Sequence, residues 1–108
     1  MPEPAESATA RDGHAGRVTW TFLTNHTLVL VCIADDRGVR LRDVADRVGI
    51  TERAAQSIVA DLVAAGYLSR TRVGRRNQYE IHADHPLRHP VESHRTVGGL
   101  VDFLVDRA

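Results

Sequence analysis

The stretch that most constrains this chain is LRDVADRVGITERAAQSI, residues 41–58, which reads as two short helices joined by a tight turn. Val44, Ala45 and Val48 fall on one apolar stripe at helical spacing. Gly49 then stops the first helix, because glycine enters the left-handed conformation without a steric cost. Ile50 is an apolar plug for the corner, and Thr51 is a good N-cap for the next helix, with Glu52 suiting the helix dipole in its first turn. The capping box is incomplete, since Ala54 stands where Glu or Gln would close it. Ala55, Ile58 and Leu62 give the second helix its buried face, and Ala45 and Ala55 are small enough for the two helices to cross closely.

With the small Ala45, the turn Gly49, the apolar Ile50 and the apolar Ala55 and Ile58, this pattern resembles the helix-turn-helix of DNA-binding proteins. The resemblance implies that the second helix lies in the major groove. Thr51, Glu52, Arg53, Gln56 and Ser57 are then the outward positions of its first two turns, with Ala60 beyond. Their chemistry suits base reading: arginine pairs with guanine, glutamine with adenine, glutamate with cytosine, and hydroxyls with phosphate or base. The bland alternative is a helical hairpin inside an unrelated all-α core.

The residues after the second helix decide between them. Gly66 ends the helix and Tyr67-Leu68 returns to the core. Residues 69–73 predict a strand, residues 74–77 (GRRN) a turn, and residues 78–82 a second strand. Leu68, Tyr79 and Ile81 are expected to face inward, and Arg70 and Arg72 to alternate outward from Thr71 and Val73. A basic hairpin directly after a recognition helix is a wing. The run AAGYLSRTRVGRRNQYEI resembles MarR-type and related ArsR-type bacterial winged-helix regulators, over residues 25–82. The resemblance implies a mainly α fold with a small antiparallel β-wing (α+β), a winged helix-turn-helix. It also implies that Arg72, Arg75, Arg76 and Asn77 meet phosphates or the adjacent minor groove, where a narrow A-tract attracts arginine. Arg42, near the start of the first motif helix, is a phosphate candidate, and residues 39–41 are the short strand that pairs with the wing in such proteins.

The formal net charge is zero, so composition alone says nothing of a nucleic-acid partner. Its distribution does. Between residues 37 and 76 nine arginines face only Asp43, Asp46, Glu52 and Asp61, and that excess coincides with the helix pair and hairpin. With 108 residues and 43% apolar content the chain is expected to form one domain, residues 17–108, after a disordered polar tail over residues 1–16. That tail is unlike a signal peptide, and the longest apolar run, residues 28–34, is far too short to span a bilayer. One cysteine excludes an internal disulfide framework and fits a cytoplasmic location.

Residues 18–22 alternate as a short extended lead-in, and Thr24 or Asn25 caps a first helix over residues 25–35. This helix is apolar nearly all round, which implies burial on more than one side and, in a chain this small, cover from a second subunit. Residues 83–90 are a loop, because Pro86 and Pro90 bar a continuous helix. A last helix, about residues 96–106, carries Val97, Leu100, Val101, Leu104 and Val105 as an amphipathic stripe with Phe103 beside it. Gly98 and Gly99 weaken it by about 1 kcal/mol each, so it needs something to pack on. By resemblance to MarR-type and ArsR-type proteins the expected dimer interface is Leu28, Val97, Leu100, Val101, Phe103 and Leu104. Packing within one subunit is the alternative.

Other chemistries are weakly supported. His82, His85, His89 and His94 crowd together with Asp84 and Glu92, but Pro86 interrupts the one helical pair, so a solvated loop is favoured over a metal site. Cys32 lies in the most apolar run with no cation within four residues, which predicts an inert thiol rather than a redox switch. Trp20 and Phe22 are expected to cover the core or a dimer seam. No phosphate loop, nucleophile elbow or paired carboxylates suggest an enzyme, and no cofactor is implied. The expected function is a sequence-specific double-stranded DNA-binding regulator of transcription, a repressor acting as a homodimer. The rivals are a winged-helix protein-interaction module and a repressor that senses a ligand or metal, any small-molecule pocket of which would lie at the dimer seam.

Overall fold

The structure is a computed structural model that describes residues 19–105. The tail expected over residues 1–16, the domain start at residue 17, Val18 and Asp106 lie outside the described residues. Helix α1 (Asn25–Asp35) starts at Thr24, whose hydroxyl oxygen accepts from the Thr27 N–H at 3.3 Å. Helix α2 (Leu41–Val48) ends on Gly49, at φ 87°. Helix α3 (Glu52–Ala64) begins at Thr51, whose Oγ1 accepts from the Ala54 N–H at 3.0 Å. Strands β1 (Leu68–Val73) and β2 (Arg76–Ile81) form a two-stranded antiparallel hairpin, and α4 (Val97–Val105) closes the chain.

The core sits where α1, α2, α3, the hairpin root and α4 converge. Its largest fully buried side chains are Val29, Ile33, Val44, Val59, Leu68 and Val97. At about 1.5–3 kcal/mol per large side chain, their burial is the main force holding the helices together. Ala45 of α2 and Ala55 of α3 are both buried, at 3% and 0% exposure.

The hairpin differs from the expected one. Val73 pairs with Arg76, so the loop is only Gly74-Arg75, and Arg76 and Asn77 belong to the strand rather than to a four-residue turn. Gly74 at φ 63° permits this, since two-residue hairpin loops need a positive φ at their first position. Arg70 lies opposite Tyr79 and Arg72 opposite Asn77. By strand alternation both arginines therefore share the face of Leu68 and Tyr79 rather than the opposite one. Both are nonetheless exposed, although Tyr79 opposite Arg70 is buried.

Residues 39–41 form no strand. Leu41 already belongs to α2, and the preceding turn meets β2 instead through the Tyr79 N–H donating to Arg37 O and the Arg76 guanidinium donating to Gly38 O. Residues 19–22 form no strand either. Trp20 and Phe22 do not cover the core: they are 68% and 92% exposed and stack on each other edge to face, with ring centroids 5.0 Å apart.

Helix α4 packs on α1 of its own chain, the alternative to the expected dimer seam. Val97 and Val101 are buried there at 1% and 4% exposure, so neither has surface left for a second subunit. The two glycines of α4 turn out unequal. A Cβ on Gly98 would lie 2.6 Å from Ala83 Cβ and 2.8 Å from Ala83 O, whereas one on Gly99 would meet only Thr96 Oγ1, at 3.5 Å. Gly98→Ala should therefore destabilise the protein by about 1–3 kcal/mol through overpacking. Gly99→Ala should be neutral or stabilising by up to about 1 kcal/mol. Urea unfolding of the two variants measures both.

Candidate nucleic-acid interface

Helix α3 turns Ala55, Ile58, Val59 and Leu62 into the core. Glu52, Arg53, Gln56, Ser57 and Ala60 are left exposed. Arg53, Gln56, Ser57 and Ala60 succeed one another at i, i+3, i+4 and i+7, which makes them a single face. Thr51 is exposed, but its hydroxyl oxygen is engaged in capping the helix.

Beside that face lies a cleft of about 310 Å³ between the start of α2, the start of α3 and the wing tip. Arg40, Arg42, Glu52, Gln56, Arg75, Arg76 and Asn77 line it, together with Val39, Leu41 and Tyr79. Six of the ten residues expected to touch DNA (Arg42, Glu52, Gln56, Arg75, Arg76 and Asn77) are thus brought to one opening from positions far apart in the chain. Arg53 and Ser57 stand on the adjoining helix face, and Arg72 lies along the wing, its Nε donating to Gly74 O at 3.3 Å. The charge in the cleft is four guanidinium groups against one carboxylate. Arg42, Arg53 and Arg75 have no ion-pair partner among the described residues, while Arg40 is 3.5 Å from Asp43.

Arg40 is a cleft residue absent from the sequence-based expectation, although its alternation with Arg42 on either side of Leu41 was the available signal. Arg76, whose guanidinium donates to Gly38 O, is in part a strut holding β2 to the α1–α2 turn, which leaves Arg75 as the freer cation of the tip.

With α2 packed on α3, α1 packed against both, and a basic hairpin directly after the exposed helix, the architecture is settled. The chain has a winged helix-turn-helix fold. No protein-family profile matches it, and no curated protein does. Among solved structures it is similar to the PcaV transcriptional regulator from Streptomyces coelicolor in complex with its natural ligand, at 26% identity and a TM-score of 0.48, over 55% of this chain and 44% of that one. A second structure of the same regulator gives 26% identity and a TM-score of 0.47, over 54% and 45%. The winged-helix chain thus aligns with under half the length of those regulators.

Away from the cleft, His26, His82 and His85 are engaged in contacts within the fold. Among the described residues no group of three or more His, Cys, Asp or Glu side chains could hold a metal ion. His26 pairs with Asp61 at 2.9 Å, and His82 and His85 hydrogen-bond to backbone at the end of α3. Cys32 is buried, and burial pushes its thiol pKa up; the fold does bring a cation near, Arg47, which lowers it, while Asp35 raises it. Loss of water outweighs the arginine, so the reactive thiolate is disfavoured.

A second pocket, about 330 Å³, opens between the start of α1, the end of α3, the start of α4 and residues 87–92. Leu30, Leu62, Ala65, Tyr67, Val97 and Leu100 line it, together with the polar His26, Asp61, Arg88 and His89. Among the described residues no helix is long and apolar enough to cross a membrane.

Proposed function

We propose that this chain is a sequence-specific double-stranded DNA-binding regulator of transcription that represses by occupying its site. The observation that carries the reading is the cleft. It sets Arg42 and Arg75, neither ion-paired among the described residues, beside the Glu52 and Gln56 end of an exposed helix face, so backbone-binding and base-reading groups share one opening. On this reading α3 enters the major groove, with Arg53, Gln56 and Ser57 on base edges and Thr51 at the groove entrance. Arg42, Arg72, Arg75, Arg76 and Asn77 lie along phosphates or in the adjacent minor groove.

The working unit we propose is a homodimer. Leu28 on α1 and Leu100 and Leu104 on α4 are only half-buried, and Phe103 is 79% exposed, which leaves apolar surface on both helices for a second copy. Two-fold symmetry would present two α3 helices to half-sites about one DNA turn apart. Phe103→Asp should shift the protein to monomer in sedimentation at micromolar concentration, and a wild-type monomer there would sink the dimer.

The mainly apolar pocket favours a second, compatible reading, in which a small molecule modulates binding. Its lining residues belong to one chain, Leu100 being shared with the proposed seam, and they include Leu62 of α3, so an occupant would touch the recognition helix directly. Leu62→Trp should fill it and abolish any thermal shift produced by a panel of small apolar compounds. A panel that never shifts the wild-type protein would remove the ligand reading.

Selection of bound duplexes from a random pool, and then gel shifts over a salt series, test the main proposal. Arg53→Ala should cost about 1–3 kcal/mol on the preferred site and relax base preference there. Arg75→Ala should weaken binding to all duplexes alike and reduce the salt slope by about one. Failure of the wild-type protein to retain any duplex at low salt would overturn it.

A further inference from the structure

A helix end leaves backbone carbonyls without partners, and the end of α3 shows how they are answered. Gly66, at φ 89°, closes the helix by donating to Val63 O at 3.1 Å, while the Tyr67 N–H donates to Leu62 O at 3.0 Å. The carbonyls of Ala65 and Gly66 receive side chains from the segment that leaves the wing. His85 Nε2 lies 3.0 Å from Ala65 O, and His82 Nδ1 lies 2.8 Å from Gly66 O.

We infer that His82 and His85 are positioning residues that set the angle of the wing against the recognition helix. A carbonyl can only accept, so each of these ring nitrogens donates. In the neutral ring His82 then carries its proton on Nδ1, and its Nε2, 2.6 Å from Ser69 Oγ, accepts from that hydroxyl. His85 carries its proton on Nε2. Two imidazoles three residues apart thus hold opposite tautomers, each dictated by a carbonyl of the same helix end.

The surroundings make the clamp stiff. The His82 N–H donates to Tyr67 O at 2.9 Å, directly after β2 ends. The His85 ring stands edge-on to Tyr67, with centroids 4.6 Å apart, and the Tyr67 hydroxyl donates to Pro86 O at 2.6 Å. A Cβ on Gly66 would sit 3.2 Å from His85 Nε2, so the ring closes tightly over the turn. Swinging the hairpin against α3 would require giving up the His85–Ala65 and His82–Gly66 bonds, while the bond from the His82 N–H to Tyr67 O keeps the two sides of the root together.

The functional consequence rests on the DNA-binding reading; the clamp itself does not. Long-range proton–nitrogen NMR at about pH 8, where free imidazole is neutral, should show the Nδ1–H form for His82 and the Nε2–H form for His85. Residual dipolar couplings should show the hairpin reoriented against α3 in His82→Leu and His85→Leu. His82→Asn and His85→Gln, which keep a donor near the same place, should restore it. Duplex affinity should fall about threefold to tenfold in the leucine variants, the worth of one lost hydrogen bond. The salt slope should become shallower, base preference should not change, and the amide variants should rescue both affinity and slope.

Identical tautomers, or couplings unmoved in folded leucine variants, would overturn the inference. So would unchanged affinity and slope on a duplex that the wild-type protein binds. If the wild-type protein binds no duplex, the DNA reading fails while the tautomers and couplings still decide the clamp. Should a leucine variant not fold, His82→Ala or His85→Ala, which also removes the donor to the carbonyl, replaces it, and couplings unmoved there would overturn the clamp.

Discussion

The arrangement depends on burying the root of the hairpin. Leu68 and Tyr79, at 1% and 4% exposure, drive one end of the two-stranded ribbon into the space beneath α3. A two-stranded hairpin is marginal alone in water, so this anchorage is what gives the wing a fixed place. Because the ribbon is short and closed by two residues, fixing its root also fixes its tip. That tip lies across the cleft from Glu52 and Gln56. Apolar packing on one side of the molecule thus determines where cations stand on the other.

The same logic explains how a chain with no net charge can present a cationic surface. Three acids of the helical part are engaged locally: Asp35 lies 3.1 Å from Arg47, Asp43 lies near Arg40, and Asp61 pairs with His26, while Glu52 remains in the cleft as its one carboxylate. Arg42, Arg53 and Arg75 keep no such neighbours among the described residues. What a polyanion would meet is the residue left after these pairings, and it is positive.

Much of this was legible because helices announce themselves through periodicity and caps. The bounds of α1, α2 and α3 come from Thr24, Gly49, Thr51 and Gly66, each a residue whose local chemistry starts or stops a helix. The hairpin was legible in kind but not in detail, since GRRN looks like four polar turn residues and only the φ of Gly74 shows that two suffice. Long-range contacts were beyond any local reading. The pairing of His82 and His85 with carbonyls sixteen and twenty residues back, the approach of Ala83 to Gly98 and the bond from Arg76 to Gly38 arise only when distant segments meet. The burial of Val97 and Val101 in their own chain was hidden for a similar reason, because an apolar stripe does not say which surface it will cover.

The lengthwise character of the wing face bears on strand slippage. Along β1 one face runs Leu68, Arg70, Arg72, from oily root to charged tip. A slip by one residue would turn this whole face over, which the pleat already forbids wherever one side is buried. A slip by two keeps the pleat and so escapes that check. Here it would carry the guanidinium of Arg70 into the seat of Leu68, an unpaired ion in a dry interior, at a cost of several kcal/mol. Odd and even misalignments are therefore both penalised, by different forces.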